Sequence, residues 1–325
     1  MKIIKKFEKQ IILAFILGFL VAAFLTLFGD FKKTTEAIFS FKFLFVIPIL
    51  LLTLTNYIFR FFRWQYFLSV VGILPKLNWK DSFLVFFSGL SMTITPGRAG
   101  ELMKAYFLKK MLKNHFTDTA PVVVIERLTD GLAALVLMAG GLLIYQYGIP
   151  IFVLAALGTV FLVFILQQKN LCLNILKKME RFKLISPFIS ALERFYHTSF
   201  LLVKPKHLLV GMILGMIAWG AEAIGLYLVL IGLGVNYPHI TLLFTAFFIF
   251  CFAGMIGFAT LLPGGLGVAE GTTTGLLMLF LKLPRSTAVA ATLLIRIMTL
   301  WFGVFLGLIA LFTLLNKKKI LHDNN

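Results

Sequence analysis

The chain has 325 residues, of which 60% are hydrophobic and 14% are charged, whereas soluble domains average roughly 45–50% and about 25%. This composition excludes an ordinary water-soluble enzyme. The formal net charge is +18, from 31 Lys and Arg against 13 Asp and Glu. Because these bases flank apolar runs, they indicate a membrane surface as the partner and not nucleic acid.

Six apolar runs are long enough to cross a bilayer core of about 30 Å, which takes about 20 residues at about 1.5 Å each. They are residues 11–28, 43–62, 120–147, 149–167, 207–232 and 286–315. The first run is long for the apolar region of a signal peptide, so we interpret it as a retained helix. Two further apolar stretches, 82–112 and 240–281, are interrupted by Pro and Gly. The predicted fold class is an all-α polytopic membrane protein.

The loops between these segments carry most of the bases. If the amino terminus is cytoplasmic and each interrupted segment returns to the side it entered from, 24 of the 31 Lys and Arg lie on the cytoplasmic side. Such an excess is typical of cytoplasmic loops. We therefore predict two re-entrant hairpins, cytoplasmic termini and a multi-pass protein of the cell membrane.

One substantial polar stretch, 168–206, carries eight bases and two acids. Its apolar and small residues recur at helical spacing on one face: Phe188, Leu192, Phe195, Tyr196 and Ser199. One interpretation is an amphipathic helix lying on anionic lipids of the inner leaflet. The other is an ordinary cytoplasmic loop that obeys the charge bias.

An internal repeat divides the chain. The sequence TPGRAGELMKAYF, which begins at Thr95, is echoed by LPGGLGVAEGTTTG, which begins at Leu262. Each copy is followed by an arginine that lies inside a long apolar span, Arg127 after the first copy and Arg296 after the second. We predict a single membrane domain built as an inverted repeat, with halves 1–147 and 148–325. In transporters with this plan, interrupted segments at matching positions indicate the substrate site.

Each interruption predicts a cavity, because an unpaired backbone group in hydrocarbon costs several kcal/mol. We expect the first break to hold a phosphate through free N–H groups at a half-helix start and through a guanidinium. The residues concerned are Pro96, Gly97, Arg98, Gly100 and Glu101, with Glu101 holding Arg98 when no substrate is bound. The second break offers backbone donors without a cation at Pro263, Gly264, Gly265 and Gly267. Its alternative role is close packing of helices through small residues.

Ionisable residues inside apolar spans need a partner or a cavity. Glu126, Arg127 and Asp130 form either a self-neutralised structural group or a net negative group that binds a proton, a cation or an amine. Glu222 and Glu270 lack a local base, and Arg296 is the candidate partner.

Two further arginines, Arg60 and Arg63, lie near the predicted inner end of a span. They either snorkel to the interface or capture lipid phosphate there.

These motifs resemble the lysylphosphatidylglycerol synthase transmembrane-region family, which is also called flippase-like. The matching elements are RxxRW from Arg60, PGRAGE from Pro96, ERxxD from Glu126, PGGLGxxE from Pro263 and the lone Arg296. The resemblance implies translocation of a phospholipid or another lipid-linked substrate, with the broken helices near the site. In two-part relatives, aminoacyl transfer resides in a soluble domain without a counterpart here, so we expect no synthase activity.

Two functions therefore stay open. One is a lipid flippase that needs no metal or other cofactor. The other is a membrane-embedded transferase or an accessory of lipid-linked assembly, with Glu126, Asp130 or Glu270 as acid or base. The partners considered are the lipid substrate, anionic inner-leaflet lipids, and either a second copy of the chain or a separate synthase.

Overall fold

The computed structural model describes residues 2–142, 149–182 and 185–317, and within these ranges it contains helices and no strand. The helices are α1 (Lys2–Phe28), α2 (Phe31–Ser40), α3 (Val46–Val70), α4 (Trp79–Leu90), α5 (Met103–Leu112), α6 (Phe116–Leu142), α7 (Ile149–Gln167), α8 (Lys169–Met179), α9 (Ile189–Leu202), α10 (Pro205–Gly232), α11 (His239–Ala259), α12 (Val268–Leu281), α13 (Arg285–Arg296) and α14 (Phe302–Asn316). The end of the predicted span 120–147, and with it the boundary between the predicted halves, lies outside the described residues.

Five helical segments of the described chain are long and apolar enough to cross a membrane. They are Phe43–Val70, Pro205–Gly232, His239–Ala259, Pro263–Leu281 and Arg285–Asn316. Two bent pairs bring the number to as many as seven, α1 with α2 at 101° and α7 with α8 at 79°. The prediction of an all-α polytopic membrane protein is confirmed.

Helix α3 runs to Val70, eight residues beyond the end at 62 predicted from the sequence. The sequence placed Arg60 and Arg63 near the inner end of that span. Arg63 is instead fully buried, because it faces an acid on α6.

The first interrupted segment consists of two short helices, α4 with 12 residues and α5 with 10. At about 1.5 Å per residue, neither covers the roughly 30 Å of a bilayer core. These lengths fit the predicted re-entrant hairpin. The second segment is longer, because α11 has 21 residues and Pro263–Leu281 is itself long enough to cross. A pair of crossings and a re-entrant hairpin both return the chain to the side it entered from.

The helices of the two parts pack in corresponding ways. Helices α3 and α10 lie side by side at the centre, α4 packs on α14, and α6 packs on α11. Likewise α5 contacts α6, and α12 contacts α13. These matching contacts support the predicted inverted repeat, whose orientation in the membrane stays a prediction.

The polar stretch after α7 forms α8 and α9, which differ in their surroundings. In α9, Tyr196 and Ser199 are buried, and the Tyr196 hydroxyl donates to the Leu166 carbonyl over 3.1 Å. This part of the face predicted to meet lipid therefore packs against protein. Phe188 and Leu192 of the predicted face are exposed, as are Leu171 and Ile175 of α8, and their contact with anionic lipid stays a prediction.

Helix α14 packs so closely on the end of α4 at Gly307 that we expect this position to tolerate no side chain. A Cβ atom on Gly307 would lie 2.2 Å from the Ser91 backbone nitrogen. Gly307→Ala is therefore expected to destabilise the protein by about 1–3 kcal/mol, the usual cost of overpacking. The check is thermal unfolding in detergent with Gly275→Ala as the control, because a Cβ there meets nothing within 4 Å. Equal melting temperatures for the two variants would contradict the close contact.

The predicted topology places the ends of α5 and α12 on opposite sides of the membrane. Lys113 and Lys282 follow these helices and are exposed. With Cys172 and Cys251 replaced by Ala, Lys113→Cys should react with an impermeant thiol reagent only from the cytoplasmic side, and Lys282→Cys only from outside. Labelling of both from one side would refute the inverted arrangement.

Candidate functional site

The two interruptions of the helices meet at the centre of the molecule. The Gly97 N–H donates to the Leu261 carbonyl over 2.8 Å, which ties the first break to the second. Gly97, Arg98 and Leu261 have φ values of 58°, 54° and 55°. Non-glycine residues rarely adopt this left-handed region, and such strain concentrates at functional sites.

A cavity of about 80 Å³ lies beside this junction. Four charged side chains reach its wall, namely Arg60, Arg98, Glu222 and Arg296. The rest of the wall includes Asn56 and three threonines as well as apolar groups. We call this cavity the polar chamber. Arg60 comes from α3, Arg98 from the first break, Glu222 from α10 and Arg296 from α13, so both halves of the chain build it.

The backbone of the first break is occupied within the protein, contrary to the predicted phosphate cradle. The Gly97 N–H bonds to Leu261, the Arg98 N–H donates to the Thr95 carbonyl over 2.9 Å, and the Gly100 N–H donates to Thr95 Oγ1 over 2.8 Å. The expectation that these N–H groups are free was wrong, because a turn tied by Thr95 uses them. The Arg98 guanidinium is the part of the prediction that faces the chamber.

The second break is held by Arg296, as the sequence suggested. Arg296 Nε lies 2.5 Å from Glu270 Oε1, and Arg296 Nη2 donates to the Gly264 carbonyl over 2.9 Å. Glu270 Oε2 accepts the Gly267 N–H over 2.8 Å. The predicted pairing of Glu270 with Arg296 is confirmed, whereas the Gly267 N–H is again not free. Close packing also contributes, since a Cβ on Gly265 would lie 3.0 Å from the Gly257 Cα.

A π-helical turn, Ile297–Trp301, follows Arg296 directly. Its widened backbone is stabilised from α3, where Thr53 Oγ1 donates to the Met298 carbonyl over 3.0 Å and the Tyr57 hydroxyl donates to the Thr299 carbonyl over 2.8 Å. Single π turns occur frequently at functional sites. Here the turn lies next to the residue that contacts the second break.

A buried ion network adjoins the chamber and joins α3, the first break, α5 and α6. Asp130 lies at its centre, with Oδ1 2.7 Å from Arg63 Nη2 and Oδ2 2.9 Å from Arg127 Nη1. Arg60 Nη2 lies 3.7 Å from Asp130 Oδ2. The predicted pairing of Arg127 with Asp130 is confirmed. Snorkelling of Arg63 is excluded, because its side chain is fully buried.

The other end of the network centres on Lys104. Its Nζ lies 2.6 Å from Glu126 Oε2 and 3.9 Å from Glu101 Oε2, and it stands 4.8 Å from the centre of the Trp64 ring. Arg127 Nη2 lies 3.4 Å from Glu101 Oε2. Glu101 therefore pairs with Arg127 and Lys104, and the expectation that it holds Arg98 was wrong.

The charge balance also differs from the one predicted. Among the described residues, the network joins four bases and three acids: Arg60, Arg63, Lys104 and Arg127 with Glu101, Glu126 and Asp130. The sequence suggested two acids for one base and hence a net negative group. Arginines from α3 and the lysine of α5 overturn that expectation, because they approach α6 from distant parts of the chain.

Arg98 and Glu222 stand apart from these pairs. Neither side chain has an ion-pair partner within 4 Å or a hydrogen bond to another described residue. Both line the polar chamber. The chamber therefore presents one unpaired cation and one unpaired anion. The predicted partnership of Glu222 with Arg296 is not formed, because Glu270 occupies Arg296.

A larger groove of about 390 Å³ adjoins the chamber. Its walls are mostly apolar and come from α6, α7 and α11: Val124, Leu128, Leu162, Met255 and Phe258. Arg98, Trp219 and Gly254 line both the groove and the chamber. Trp219 lies directly on Gly254, where a Cβ would be 2.7 Å from the indole ring. The chamber and the groove are thus neighbouring cavities, one polar and one mostly apolar, that share a wall formed by Arg98, Trp219 and Gly254.

Sequence reasoning missed Lys104 and Trp219. Lys104 was counted as a cytoplasmic base, although it is 2% exposed. Its position three residues after Glu101, within one helical turn, was the available signal. Trp219 gave no signal beyond its position three residues before Glu222 on α10.

Comparison with known proteins identifies the family. The profile described as "Lysylphosphatidylglycerol synthase TM region" matches residues 15–307. A UPF0104 membrane protein of Pyrococcus horikoshii is 22% identical over 340 residues, which cover 96% of this chain and 99% of that protein. A UPF0104 membrane protein of Methanocaldococcus jannaschii is 24% identical over 282 residues, covering 79% and 82%. One of Methanothermobacter thermautotrophicus is 32% identical over 123 residues, covering 38% and 35%. Because that profile covers most of its length, the chain belongs to the lysylphosphatidylglycerol synthase transmembrane-region family of polytopic membrane proteins.

Proposed function

We propose that this protein moves a phospholipid or a lipid-linked intermediate between the two leaflets of the cell membrane. The observation that carries the proposal is that Arg98 lines both the polar chamber and the neighbouring apolar groove. A lipid likewise has a polar part, its charged headgroup, and an apolar part, its acyl chains. One molecule can therefore place its phosphate at Arg98 and a chain along Leu128 and Met255.

Burial of the headgroup requires groups that replace its hydration water. The unpaired Arg98 guanidinium supplies donors suited to a phosphate oxygen. Arg60 adds positive charge on the same wall. In this proposal, both termini are cytoplasmic and the exposed helix α8 contacts anionic lipids of the inner leaflet.

A transferase needs an acid or base that is free to exchange protons with its substrate. The three carboxylates considered for this role are each held by a base. Glu126 pairs with Lys104 at 2.6 Å, Asp130 with Arg63 at 2.7 Å, and Glu270 with Arg296 at 2.5 Å. These pairs argue against the three carboxylates as acid or base and leave the unpaired Glu222 as the group that a transferase would have to use.

The test is leaflet exchange in proteoliposomes that contain phospholipids labelled on an acyl chain with a dithionite-quenchable fluorophore. Exchange brings inner-leaflet label within reach of external dithionite, so the quenched fraction should rise above the half expected of protein-free vesicles. Mass spectrometry of the recovered lipid should show no new product. Quenching that stays at the protein-free level would contradict translocation, and a chemically altered lipid would favour the transferase.

A further inference from the structure

The threonine hydroxyl groups on the wall of the polar chamber already donate hydrogen bonds to backbone carbonyl groups. Thr93 Oγ1 donates to the Leu90 carbonyl over 2.7 Å. Thr273 Oγ1 donates to the Ala269 carbonyl over 2.8 Å, and Thr299 Oγ1 donates to the Ile295 carbonyl over 2.7 Å. A hydroxyl whose proton is used in this way retains only its acceptor lone pairs. While these bonds are kept, the three threonines present acceptor lone pairs to a ligand.

Two further groups on the same wall are acceptors. The Nδ2 of Asn56 donates to the Ala218 carbonyl over 2.9 Å, which fixes the orientation of the amide. The Oδ1 of Asn56 is buried without a hydrogen-bond partner among the described residues. Glu222 contributes an unpaired carboxylate. The wall of the chamber thus offers several oxygen acceptors and a negative charge.

The donors in the chamber are of a different kind. They are the guanidinium groups of Arg60, Arg98 and Arg296, and Arg296 is already bound to Glu270 and Gly264. Arg98 is the unpaired donor, and it suits an anionic oxygen. The chamber therefore presents an unpaired cation at Arg98 and, within the same wall, oxygen acceptors that include the Glu222 carboxylate.

The small volume of the chamber limits the ligand. A cavity needs about 10–15 Å³ to hold one water molecule, so about 80 Å³ has room for a handful of such groups. This excludes an oligosaccharide from the chamber in this conformation.

We infer that the chamber selects a lipid whose compact headgroup joins one phosphodiester to one primary ammonium group. The phosphate binds at Arg98, and the ammonium donates its N–H protons to Glu222 and to the surrounding oxygen acceptors. This inference rests on the proposed function and names its substrate class. It predicts discrimination by N–H donors and not by charge alone, because a quaternary ammonium has the same charge and no N–H.

The experiment compares three lipids with identical acyl chains: phosphatidylethanolamine, its N,N-dimethyl derivative and phosphatidylcholine. Their positive charge is constant, whereas the number of N–H donors falls stepwise to none. Binding to the full-length protein in detergent should weaken along the series, by about ten- to a hundredfold in total, the range expected when charge-assisted hydrogen bonds are lost. Equal affinity for all three lipids would overturn the inference.

Glu222→Gln provides the second arm, because it keeps the size of the side chain and removes its charge. We expect this variant to lose most of the preference for the primary ammonium, by about tenfold or more. The control is Glu36→Gln, since Glu36 is exposed on α2, and it should keep the full preference. An unchanged preference in Glu222→Gln would refute the assigned role. The wild-type series decides the question even if this variant fails to fold.

Leaflet exchange of the same three lipids separates this inference from the proposed function. Exchange of all three at equal rates would overturn the headgroup selection and leave translocation standing. Graded binding without exchange of any lipid would support the headgroup site and contradict translocation.

Discussion

Asp130→Asn is expected to prevent accumulation of the folded protein. The carboxylate of Asp130 lies between Arg60, Arg63 and Arg127, at 3.7, 2.7 and 2.9 Å. Removal of one partner from a buried ion group costs about 3–5 kcal/mol, because the remaining charges stay buried and uncompensated. The measurement is the yield of monodisperse protein in detergent, followed by its thermal unfolding.

A matched control uses the surface pair of Asp81 with Lys317, whose Nζ–Oδ1 distance is also 2.7 Å. Exposed pairs contribute less than about 1 kcal/mol, so Asp81→Asn should accumulate normally. Adding Arg63→Met to Asp130→Asn should recover part of the yield, because one uncompensated cation is removed. Normal accumulation of Asp130→Asn alone would show that the network is not a structural element.

The sequence left two roles for Asp130 open, a self-neutralised structural group and a net negative group. In the second role, neutralisation of Asp130 would stop transport without harming the fold. The structure surrounds the same carboxylate with three arginines, which makes its first role structural.

Arg98→Gln is expected to reduce leaflet exchange about tenfold or more while the fold is retained. Arg98 has no ion-pair partner within 4 Å among the described residues, so its neutralisation leaves no counterion uncompensated. The loss of a charge-assisted hydrogen bond to a phosphate is worth about 1.5–3 kcal/mol. The measurement is the dithionite exchange rate at matched reconstitution.

Arg98→Lys should recover only part of the rate, because an ammonium does not reproduce the planar fork of a guanidinium. Lys282→Gln is a suitable control, since Lys282 also has a positive φ, 50°, and is exposed away from the chamber. An Arg98→Gln variant as fast as Lys282→Gln would refute the role of Arg98 in lipid binding.

The sequence predicted the features that short-range patterns encode. Apolar runs give the spans, and the repeated Pro-Gly motifs give the two breaks. The pairing of Glu270 with Arg296 also followed from the sequence, because these residues had few alternative partners.

Features that depend on distant parts of the chain were not predictable. The acceptor of the Gly97 N–H is the Leu261 carbonyl, which belongs to the other half of the chain. Arg63 was considered as snorkelling to the interface because it lies near a span end, and Lys104 was counted among the cytoplasmic bases. Their burial follows from acids on α6, and no local pattern shows that α3 and α5 pack beside those acids.

The central claim is that the polar chamber and the apolar groove bind one lipid molecule. Photoaffinity labelling with a phospholipid that carries a diazirine on an acyl chain tests it most directly. In proteoliposomes, labelled peptides should include the groove residues Leu128 and Met255, as well as lipid-facing residues such as Phe312, which is 62% exposed on α14.

In Arg98→Gln, labelling of the groove should fall about tenfold, while labelling at Phe312 should stay constant. That result would show that a headgroup bound at Arg98 holds the chain in the groove. Groove labelling that is unchanged in Arg98→Gln, or that never exceeds labelling at Phe312, would contradict a single site for headgroup and chain.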